Sequence, residues 1–557
     1  MAKKEDLGWN YPAALAAIGN AATSLADLLR SALPGKRPER IVIELSGSYP
    51  AFMERRKFPA RLLQARPAGT SFEEFERLVD ALVGVPWLEA VVFRFSGLTI
   101  GFTTAVAMRR QFERLRAGGK RVEVLVNELG NATYFLASAA DRIVAPESAE
   151  FHVNGLALTT TFLGDALGRA GVRFDKLAIK EYKNAGDNLA RAHMSDAQRE
   201  QYGAYLDSLV RTTSGAIAEA RGKTPEEVQG WVEEGVTSAK QAAALGMIDE
   251  VKYEDEVLGE ADKSLAAARR FIPGRRRSVE AGRVALVSLE GAIITGPSRS
   301  SPVPVPVLGG KLAGSETLVR ALRLAGRDKR TKAVVFHVES GGGSALASDL
   351  IGREVELLAR RMPVVAVMGG VAGSGGYYVL THATRVLAEA TTLTGSIGVV
   401  SLKPVLQELY ERFGVNVESI ERGRFADIMG SHKPFDDAER ALMQRYIDEV
   451  YERFVARVAA GRKLSAERVN EIGRGRIWSG ADALGLGLVD ELGGVRLALA
   501  RAKELAGLSP DAGAWKVEAP GKYVIPSADD PSTWLRMLGP SLRESAWLIH
   551  GTRLAVH

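Results

Sequence analysis

The sequence predicts an α/β protein made of two tandem copies of one α/β domain. Short apolar segments alternate with helical patterns along most of the chain, which is typical of a parallel sheet covered by helices. The pattern also repeats at an offset of 243 residues, since Ala90-Val-Val-Phe93 recurs as Ala333-Val-Val-Phe336 and Tyr134 falls on Tyr377. We therefore interpret the chain as an internal duplication.

The elements of the first copy follow from composition and periodicity. The expected strands are Arg40–Leu45, Ala90–Phe93, Arg121–Val126 and Arg142–Ala145, and the helical patterns run from Phe72 to Leu82 and from Thr103 to Ala117. Near the end of each copy the offset becomes 241 residues, because Leu245-Gly-Met-Ile-Asp-Glu250 matches Leu486-Gly-Leu-Val-Asp-Glu491. Each half, at roughly 220 residues, therefore has the size of one domain.

The duplication divides the chain into five parts. The basic run from Arg269 to Arg277, interrupted by Pro273 and Gly274, indicates a linker between the halves. The expected parts are an amphipathic helical segment (1–37), a first α/β half (38–262), the basic linker (263–280), a second α/β half (281–510) and a C-terminal tail (511–557).

Composition excludes several classes of function. The chain has 557 residues, 46% of them hydrophobic, and its net charge of +6 is spread among interspersed acidic and basic residues, so we expect no nucleic-acid partner. The absence of cysteine excludes disulfides, thiol catalysis and cysteine-ligated metals. No HExxH-type spacing is present, and we expect neither a metal nor a cofactor.

The segment from Tyr11 to Arg30 is expected to form an amphipathic helix. It is interrupted by Asn20, Thr23 and Asp27, and no stretch of the chain reaches the roughly 18 uncharged apolar residues that a spanning helix needs. We expect a cytoplasmic protein, with peripheral contact to the inner membrane as an open alternative.

A glycine-rich run from Met368 to Tyr378 contains the candidate nucleophile, Ser374. It follows the apolar segment Pro363–Met368 and precedes a helical pattern, so Ser374 is expected at a strand-to-helix junction, where free N–H groups stabilise negative charge. A second glycine segment, Ser340–Ser344, follows the preceding strand and is able to direct N–H groups at an oxyanion. A single cluster of this kind is more often turn chemistry.

Each copy lacks a candidate catalytic residue that the other copy contains. At the offset of 243 residues, Asn131 replaces Ser374 in the first half, whereas Ala426 replaces Lys183 in the second half. A serine hydroxyl becomes a nucleophile when a base takes its proton, and a buried lysine with a lowered pKa serves as such a base. Taken alone, a lysine on a mixed segment is usually a solvated surface charge.

These motifs resemble the signal peptide peptidase SppA (protease IV) family in its long, duplicated form, over about residues 40–505. The motifs that carry the resemblance are Ser340-Gly-Gly-Gly-Ser344, Gly373-Ser-Gly-Gly-Tyr-Tyr378, Thr392-Leu-Thr-Gly-Ser-Ile-Gly398, Glu181-Tyr-Lys183 and Met194-Ser-Asp-Ala-Gln-Arg199. The resemblance implies two tandem crotonase/ClpP-like α/β domains with helical extensions. It also implies a homo-oligomer, expected as a tetramer, that cleaves apolar peptides such as spent signal peptides.

The resemblance also assigns site residues. It implies Ser374 as the nucleophile, Lys183 as the general base and Ser396 as a support of the dyad, although a turn-closing role for Ser396 is equally open. The oxyanion hole is implied at the N–H groups of Gly375 and Gly343, with Gly342 as the near alternative. The sequence departs from the family at Gly341, where proline is usual, and the family's membrane anchor is not seen.

Two other functions stay open on sequence grounds. A crotonase-type acyl-CoA enzyme has the same fold but needs neither Lys183 nor a nucleophilic serine. A catalytically silent scaffold is suggested by the degenerate first half. Histidine is not expected as the base: His382 lies two turns beyond Ser374 on the presumed helix, roughly 12 Å away, and His337 alternates within a strand as a packed core residue.

Overall fold

A computed structural model describes residues 11–31, 36–52, 70–274, 282–301, 310–518 and 547–549. Its 23 described strands form three larger sheets and one two-stranded pair. In chain order, the strands of the first half are β1 (Arg40–Gly47), β2 (Ala90–Leu98), β3 (Arg121–Val126), β4 (Glu128–Gly130), β5 (Arg142–Ala145), β6 (Glu150–His152), β7 (Arg173–Ala178), β8 (Glu250–Val251) and β9 (Lys263–Ser264).

The strands of the second half begin after the expected linker. They are β10 (Arg283–Glu290), β11 (Ala292–Ile294), β12 (Arg299–Ser301), β13 (Gly310–Gly314), β14 (Thr331–Ser340), β15 (Gly342–Ser344), β16 (Val364–Gly373), β17 (Arg385–Ala388), β18 (Leu393–Gly395), β19 (Val400–Val405), β20 (Ile477–Ser479), β21 (Glu491–Leu492), β22 (Gly513–Lys516) and β23 (Trp547–Ile549).

Helices cover the sheets, as the alternating pattern predicts. The α-helices are Tyr11–Ser31, Phe72–Val83, Phe102–Ala117, Asn131–Ala137, Gly164–Arg169, Asp187–Ala190, Asp196–Arg221, Pro225–Glu234, Ala239–Leu245, Glu254–Val257, Leu265–Ala268, Ser315–Arg327, Ala345–Ala359, Gly375–Tyr378, Gln407–Arg412, Asp437–Arg462, Ala466–Ile472, Gly480–Gly485 and Val495–Leu505.

Each half contains one sheet with the same strand plan. The first sheet has the order β8-β5-β3-β2-β1-β9, and all of its pairs are parallel. The second has the order β20-β18-β16-β14-β10-β22, with β17 also paired to β16 and β21 paired to β17, and only its β18–β20 pair is antiparallel. Their central strands are buried on both faces, as expected of parallel strands covered by helices.

A third, seven-stranded sheet joins the halves. Its order is β12-β13-β11-β15-β23-β19-β7. Strand β7 belongs to the first half by sequence but pairs antiparallel with β19 of the second half over six residue pairs, from Arg173–Val405 to Ala178–Val400. Because of this pairing, the segment that precedes Lys183 lies against the second half.

The apolar cores also combine residues of both halves. The main core of the second half includes Leu177 and Ile179 from the first half. A smaller cluster packs Tyr205 and Leu209 against Leu393 and Ile477. The first-half segment around residues 173–209 therefore packs as part of the second half, because its apolar side chains are buried there rather than against their own sheet.

Two expected boundaries differ from the observed elements. Part of the expected linker packs on the first half, since Lys263–Ser264 pairs with β1 and Ala268 is buried in the first core. Residues 275–281 lie outside the described residues. Strand β22 pairs with β10, so the second sheet extends into the expected tail. Most of the expected tail, residues 519–546 and 550–557, lies outside the described residues.

The N-terminal amphipathic helix is observed over Tyr11–Ser31. It contacts the 3-10 turn Arg269–Phe271, and Gly274 N–H donates to Asp27 at 3.0 Å. Leu25, Leu28 and Leu29 are exposed on it. Among the described helices, none is both long and apolar enough to cross a membrane.

Candidate functional site

Ser374 stands at the junction that the sequence predicts, between β16 and the helix Gly375–Tyr378. Its backbone has φ 53° and ψ −116°, a conformation that L-residues rarely adopt. The turn is fixed on both sides, because Ser374 N–H donates to Gly395 O at 2.8 Å and Tyr378 N–H donates to Ser374 O at 2.8 Å. The hydroxyl is thereby held at the end of a parallel strand, on a sharp turn.

Lys183 reaches this serine within the same chain. Its Nζ lies 2.7 Å from Ser374 Oγ, although 191 residues separate the two. The same Nζ lies 2.9 Å from Ser396 Oγ and 3.1 Å from Ser396 O. All three side chains are buried. The structure therefore brings together the three residues that the sequence had placed in one site, from both halves.

Burial is the main influence on the lysine. Removal from water disfavours the ammonium form, and the nearby Lys176 adds repulsion, so the pKa of Lys183 is held well below its usual value. Within the described chain, no carboxylate forms an ion pair with Lys183 that would oppose this shift. The environment therefore favours a neutral amine beside Ser374.

Lys176 holds the segment that carries Lys183. Its Nζ donates to Lys183 O at 3.0 Å and pairs with Asp187. Asn184 Nδ2 also donates to Asp187, at 2.8 Å, and Gln201 Nε2 donates to Tyr182 O at 3.0 Å. These contacts bind the loop backbone on both sides of Lys183, so the long lysine side chain starts from a fixed point.

The opposite wall of the lysine pocket depends on Gly475. This residue has φ +85°, and a Cβ there would lie 2.5 Å from Lys183 N and 2.6 Å from Lys183 Cβ. Gly475 N–H donates to Ile397 O at 2.8 Å, next to Ser396. Only glycine therefore permits the Lys183 backbone to approach the turn that carries Ser396.

Ser396 is also in a left-handed conformation, with φ 50°. Its N–H donates to Arg476 O at 2.7 Å, which fixes the turn against the segment after Gly475. A non-glycine residue in this region is uncommon and suggests a functional constraint. The serine directs both its Oγ and its carbonyl oxygen at Lys183.

The two glycine segments lie against each other. Gly375 is the first residue of the helix after Ser374, and Gly343 lies in β15, which contacts that helix. A Cβ at Gly376 would lie 2.4 Å from Ser340 O, so glycine is needed for this approach. Ser340 Oγ donates to Gly291 O at 2.6 Å and accepts from Gly342 N–H at 3.1 Å, which fixes the second segment.

His382 and His337 lie apart from these contacts. The helix after Ser374 ends at Tyr378, so His382 lies in the following turn rather than two turns along the same helix, as its spacing had indicated. There it contacts Thr381 Oγ1 at 3.1 Å. His337 is buried beside Ser288, at 3.0 Å, and burial lowers its pKa to about 4. In the described residues, no group of three or more His, Asp or Glu side chains is placed to hold a metal ion.

A comparison with protein families decides the identity of the fold. The profile of peptidase family S49 matches this chain twice, over residues 114–268 and 356–509. The chain belongs to peptidase family S49. The double match confirms the tandem α/β organisation that the internal repeat predicts, and the S49 family is the one that the SppA-like motifs had indicated.

Curated relatives match across both halves. The chain is 32% identical over 439 residues to "Serine protease SPPA, chloroplastic" of Arabidopsis thaliana, covering 76% of this chain and 64% of the relative. It is 27% identical to "Protease 4" of Haemophilus influenzae, over 71% of this chain and 66% of that relative. For "Protease 4" of Salmonella typhi the identity is 29%, with 72% and 66% covered. The match thus spans slightly less than two thirds of these relatives' lengths.

A solved structure of ClpP1 from Listeria monocytogenes shares 16% identity with this S49 chain. It covers 38% of this chain and 94% of the ClpP1 chain, with a TM-score of 0.25.

Sequence reasoning missed the residues that position Lys183. The residues selected from the sequence did not include Lys176, Asp187, Gln201 or Gly475. Gly475 lies in Gly473-Arg-Gly475, far along the chain, and its contact with Lys183 depends on the folding of both halves. Gln201 follows the quoted segment Met194–Arg199 by two residues, and this was the nearest available signal.

Proposed function

We propose that this S49 chain is a serine endopeptidase of the SppA type that cleaves apolar peptides, such as spent signal peptides, through an acyl-enzyme on Ser374. The observation that carries this proposal is the 2.7 Å contact between Lys183 Nζ and Ser374 Oγ in a buried site. A hydroxyl and a neutral amine in direct contact are the two groups that nucleophilic catalysis by serine requires.

The number of hydrogen bonds at the amine supports this role. A neutral lysine has two N–H donors and one lone pair. The two oxygens of Ser396, at 2.9 and 3.1 Å, use the two donors. The lone pair is then left for the proton of Ser374 at 2.7 Å. Ser396 thus orients Lys183 as an acceptor, which is the supporting role proposed for it.

The reaction follows from these positions. Lys183 takes the proton of Ser374 as Oγ attacks the scissile carbonyl, and the N–H groups of Gly375 and Gly343 stabilise the oxyanion. The resulting ammonium of Lys183 gives its proton to the departing amine, which leaves an ester on Ser374. A water molecule then attacks this ester while Lys183 accepts a proton from it. Lys183 returns that proton to the departing Oγ of Ser374, which releases the peptide acid and restores the neutral amine and the hydroxyl.

A covalent intermediate on Ser374 distinguishes this proposal from the two alternative functions. An acyl-CoA enzyme that stabilises a thioester enolate leaves Ser374 unmodified, and a silent scaffold turns over no peptide. We expect an acylating peptide-type inhibitor to label Ser374, detected by the mass of the tryptic peptide. Fluorogenic apolar peptides should be cleaved by the wild type and not by Ser374→Ala. Labelling of another residue, or turnover by Ser374→Ala, would overturn the proposal.

The pH dependence is a second test of the proposed base. Lys183 must be neutral in the free enzyme, and its pKa is held well below the usual lysine value of 10.5 by burial. We expect kcat/KM to rise with pH along a limb centred well below that value, because the active, deprotonated fraction grows as pH passes the lowered pKa. A limb centred at the ordinary lysine value would contradict a buried lysine base.

Assembly and location complete the proposal. A homo-oligomer, with a tetramer as the expected form, would enclose the sites and limit access to extended peptides. Light scattering of the purified full chain tests this state. A cytoplasmic location, and contact of the Tyr11–Ser31 helix with the inner membrane surface, stay predictions that fractionation of cells would test.

A further inference from the structure

The pairing of β14 with β16 is interrupted shortly before the candidate nucleophile. It is regular up to Val338, which pairs with Met368. The next pair is Ser340 with Ala372. One residue of β14 therefore lies opposite three residues of β16, numbers 369–371. Such a bulge takes backbone N–H groups out of the regular ladder, and bulges are frequent beside active sites, where they redirect a strand.

The side chain of Glu339 fills this bulge. Its carboxylate accepts Gly370 N–H at 2.6 Å and Val371 N–H at 3.2 Å. A Cβ at Gly369 would overlap Glu339 Oε2, so only glycine leaves room for the carboxylate. From the other side, Thr392 Oγ1 donates to Gly369 O at 2.8 Å. Because two adjacent glycines give the bulge wide backbone freedom, its conformation depends on these side-chain contacts.

Glu339 is connected to both sides of the candidate site. It directly precedes Ser340, which fixes the second glycine segment, and both residues bond to Gly291: Glu339 O accepts Gly291 N–H at 2.9 Å, and Ser340 Oγ donates to Gly291 O. Beyond the bulge, Ser340 pairs with Ala372, two residues before Ser374. The register that the bulge sets is therefore the register in which the nucleophile faces the segment of the proposed oxyanion donor.

The first half provides an internal comparison for this carboxylate. At the offset of 243 residues, Ser96 stands in place of Glu339, and Val126 and Asn127 stand in place of the two glycines. The same half lacks the nucleophilic serine. The carboxylate and the glycine pair that it contacts thus occur together, in the half that contains the nucleophile.

The surroundings of Glu339 determine its ionisation. Burial raises the pKa of Glu339 to about 7, and its two N–H donors only partly oppose this shift. Glu290 of β10 adds repulsion, although Lys311 of β13 binds Glu290 at 2.5 Å. His337, on the same strand, is neutral near pH 7 because burial lowers its pKa to about 4. The first half contributes the neutral hydroxyl of Thr103 near the bulge. The carboxylate is therefore ionised above about pH 7 and protonated below it.

We propose that Glu339 is a positioning residue for Ser374, acting in its ionised form through the N–H groups of Gly370 and Val371. A protonated carboxyl, or an amide, has a single full acceptor oxygen for two donors and turns a hydrogen toward one of them. The bulge then loses a hydrogen bond, and the register between β14 and β16 is less firmly held. This inference rests on the proposed peptidase function and adds to it a residue outside the dyad. The expected consequence is a lower kcat with little change in KM.

The pH dependence of kcat for Glu339→Gln tests this role with a fluorogenic apolar peptide. We expect a loss of about tenfold at about pH 9, where the wild-type carboxylate is ionised. At about pH 5.5 the loss should shrink to within about twofold, because the wild-type carboxyl is then protonated and resembles the amide. Glu354→Gln is the matched control, at a buried glutamate that pairs with Arg323 at 2.8 Å, and should equal the wild type at both pH values. An equal loss at every pH, or no loss, would overturn the inference.

Thermal unfolding separates positioning from a general loss of stability. Because the pKa of Glu339 is raised from 4.5 to about 7, its ionised form destabilises the fold above pH 7, and this cost is absent below pH 4.5. The neutral glutamine should therefore leave Tm at about pH 8 no lower than in the wild type, although kcat falls. A lowered Tm with a loss of kcat that does not vary with pH would assign Glu339 to stability alone and overturn the inference.

A second variant applies if Glu339→Gln does not fold. Glu339→Ser copies Ser96, the residue at the equivalent position of the first half. Its loss of kcat should likewise be larger at about pH 9 than at about pH 5.5, because the wild type loses the ionised carboxylate between these values. A loss that is the same at both would overturn the inference.

Hydrogen exchange distinguishes this inference from the peptidase proposal. At about pH 8, peptic fragments that cover residues 364–373 should exchange faster in Glu339→Gln than in the wild type or Glu354→Gln, since two N–H groups lose the carboxylate. If this holds but no form of the chain cleaves any peptide, the contact of Glu339 with the bulge stands and the peptidase proposal is wrong. If the wild type cleaves through Ser374 and Glu339→Gln equals it in kcat and exchange, the peptidase proposal stands and this inference is wrong.

Discussion

The two halves of the molecule have kept the same frame and different chemistry. In the first half Tyr134 donates its hydroxyl proton to Met247 O at 3.2 Å, and in the second half Tyr377 donates to Leu488 O at 2.9 Å. Both tyrosines are buried directly behind the site position of their half. The bonds are equivalent because the offset of the repeat changes by only two residues between tyrosine and acceptor.

A second pair of contacts repeats in the same way. Asp249 accepts from Ile143 N–H at 2.7 Å and pairs with Arg221, and Asp490 accepts from Val386 N–H at 2.7 Å and pairs with Arg462. The aspartate in each half thus connects the end of a long helix to the edge of the parallel sheet. These bonds stabilise the fold of each half independently of any reaction.

The site position itself differs. In the first half Asn131 exchanges two hydrogen bonds with the backbone of Gly155, at 2.9 and 3.3 Å, and begins the helix Asn131–Ala137 without a positive φ. In the second half Ser374 has φ 53° and faces Lys183. The backbone frame is therefore common to both halves, whereas the strained serine occurs in the half where Lys183 lies against it.

The largest difference between the halves should appear on removing the dyad. Ser374→Ala and Lys183→Ala should each lower kcat/KM by about a thousandfold or more, and the double variant should be no worse, because the members of a catalytic unit are not additive. Lys183→Arg should be equally inactive, since guanidinium stays protonated.

The matched controls for this test lie in the first half. Asn131→Ala changes the residue equivalent to Ser374, and Lys180→Ala removes an exposed lysine three residues from Lys183. Both should retain nearly full cleavage of a fluorogenic peptide. A loss with Asn131→Ala as great as that with Ser374→Ala would mean that the first half has a site of its own.

A smaller effect is expected when the lysine loses its charged neighbour. Lys176→Met removes a cation near Lys183 and the ion-pair partner of Asp187, and both changes raise the pKa of Lys183. The ascending limb of kcat/KM should move to higher pH, with a loss of about tenfold at pH 7 that is recovered in alkali. Lys180→Met is the control. A loss of equal size at every pH would indicate a structural role alone.

The equivalent tyrosines, Tyr134 and Tyr377, allow the stability of the two halves to be compared directly. Tyr134→Phe and Tyr377→Phe each remove one buried hydrogen bond, and each should lower the free energy of unfolding of its half by about 1 kcal/mol. Urea unfolding monitored for both halves measures this. Only Tyr377→Phe should also lower kcat/KM, because Tyr377 is three residues after Ser374. An equal loss of activity with Tyr134→Phe would contradict the separation of frame and site.

The smallest effect should come from cutting the chain between the halves. A specific protease site placed within residues 275–281 should be cleaved with no loss of activity, because β7 pairs with β19 and Arg440 contacts both carboxylate oxygens of Asp175 at 2.6 and 2.8 Å. Gel filtration should show the two fragments eluting together. Separation of the fragments with retained activity in the second one would refute the role of Lys183.

Much of this architecture could be predicted from the sequence because the internal repeat allows the two halves to be aligned with each other. The offset of 243 residues aligned the strands of both halves and exposed the exchanged losses at Asn131 and Ala426, which pointed to Ser374 and Lys183. Long buried strands such as Val364–Gly373 carried a strong apolar signal.

The remainder depends on contacts between distant segments. Strands of two to four residues, such as Lys263–Ser264 and Gly513–Lys516, are too short to show periodicity. The positive φ of Ser396 and the approach of Gly475 to Lys183 are set by the packing of the second half against β7. Pairing of Trp547–Ile549 with β15 likewise has no local signal, because backbone hydrogen bonds do not select side chains.

The pairing of β7 with β19 also determines when the site can form during synthesis of the chain. The segment that carries Lys183 leaves the ribosome more than two hundred residues before Val400, its pairing partner. At roughly 5–20 residues per second, that interval is on the order of ten to forty seconds. During this time the lysine has no serine to activate, and Ser374 emerges after it into a chain that still lacks β19. If Lys183 is the base of Ser374, as we propose, the newly made polypeptide stays inactive until β7 has paired with β19.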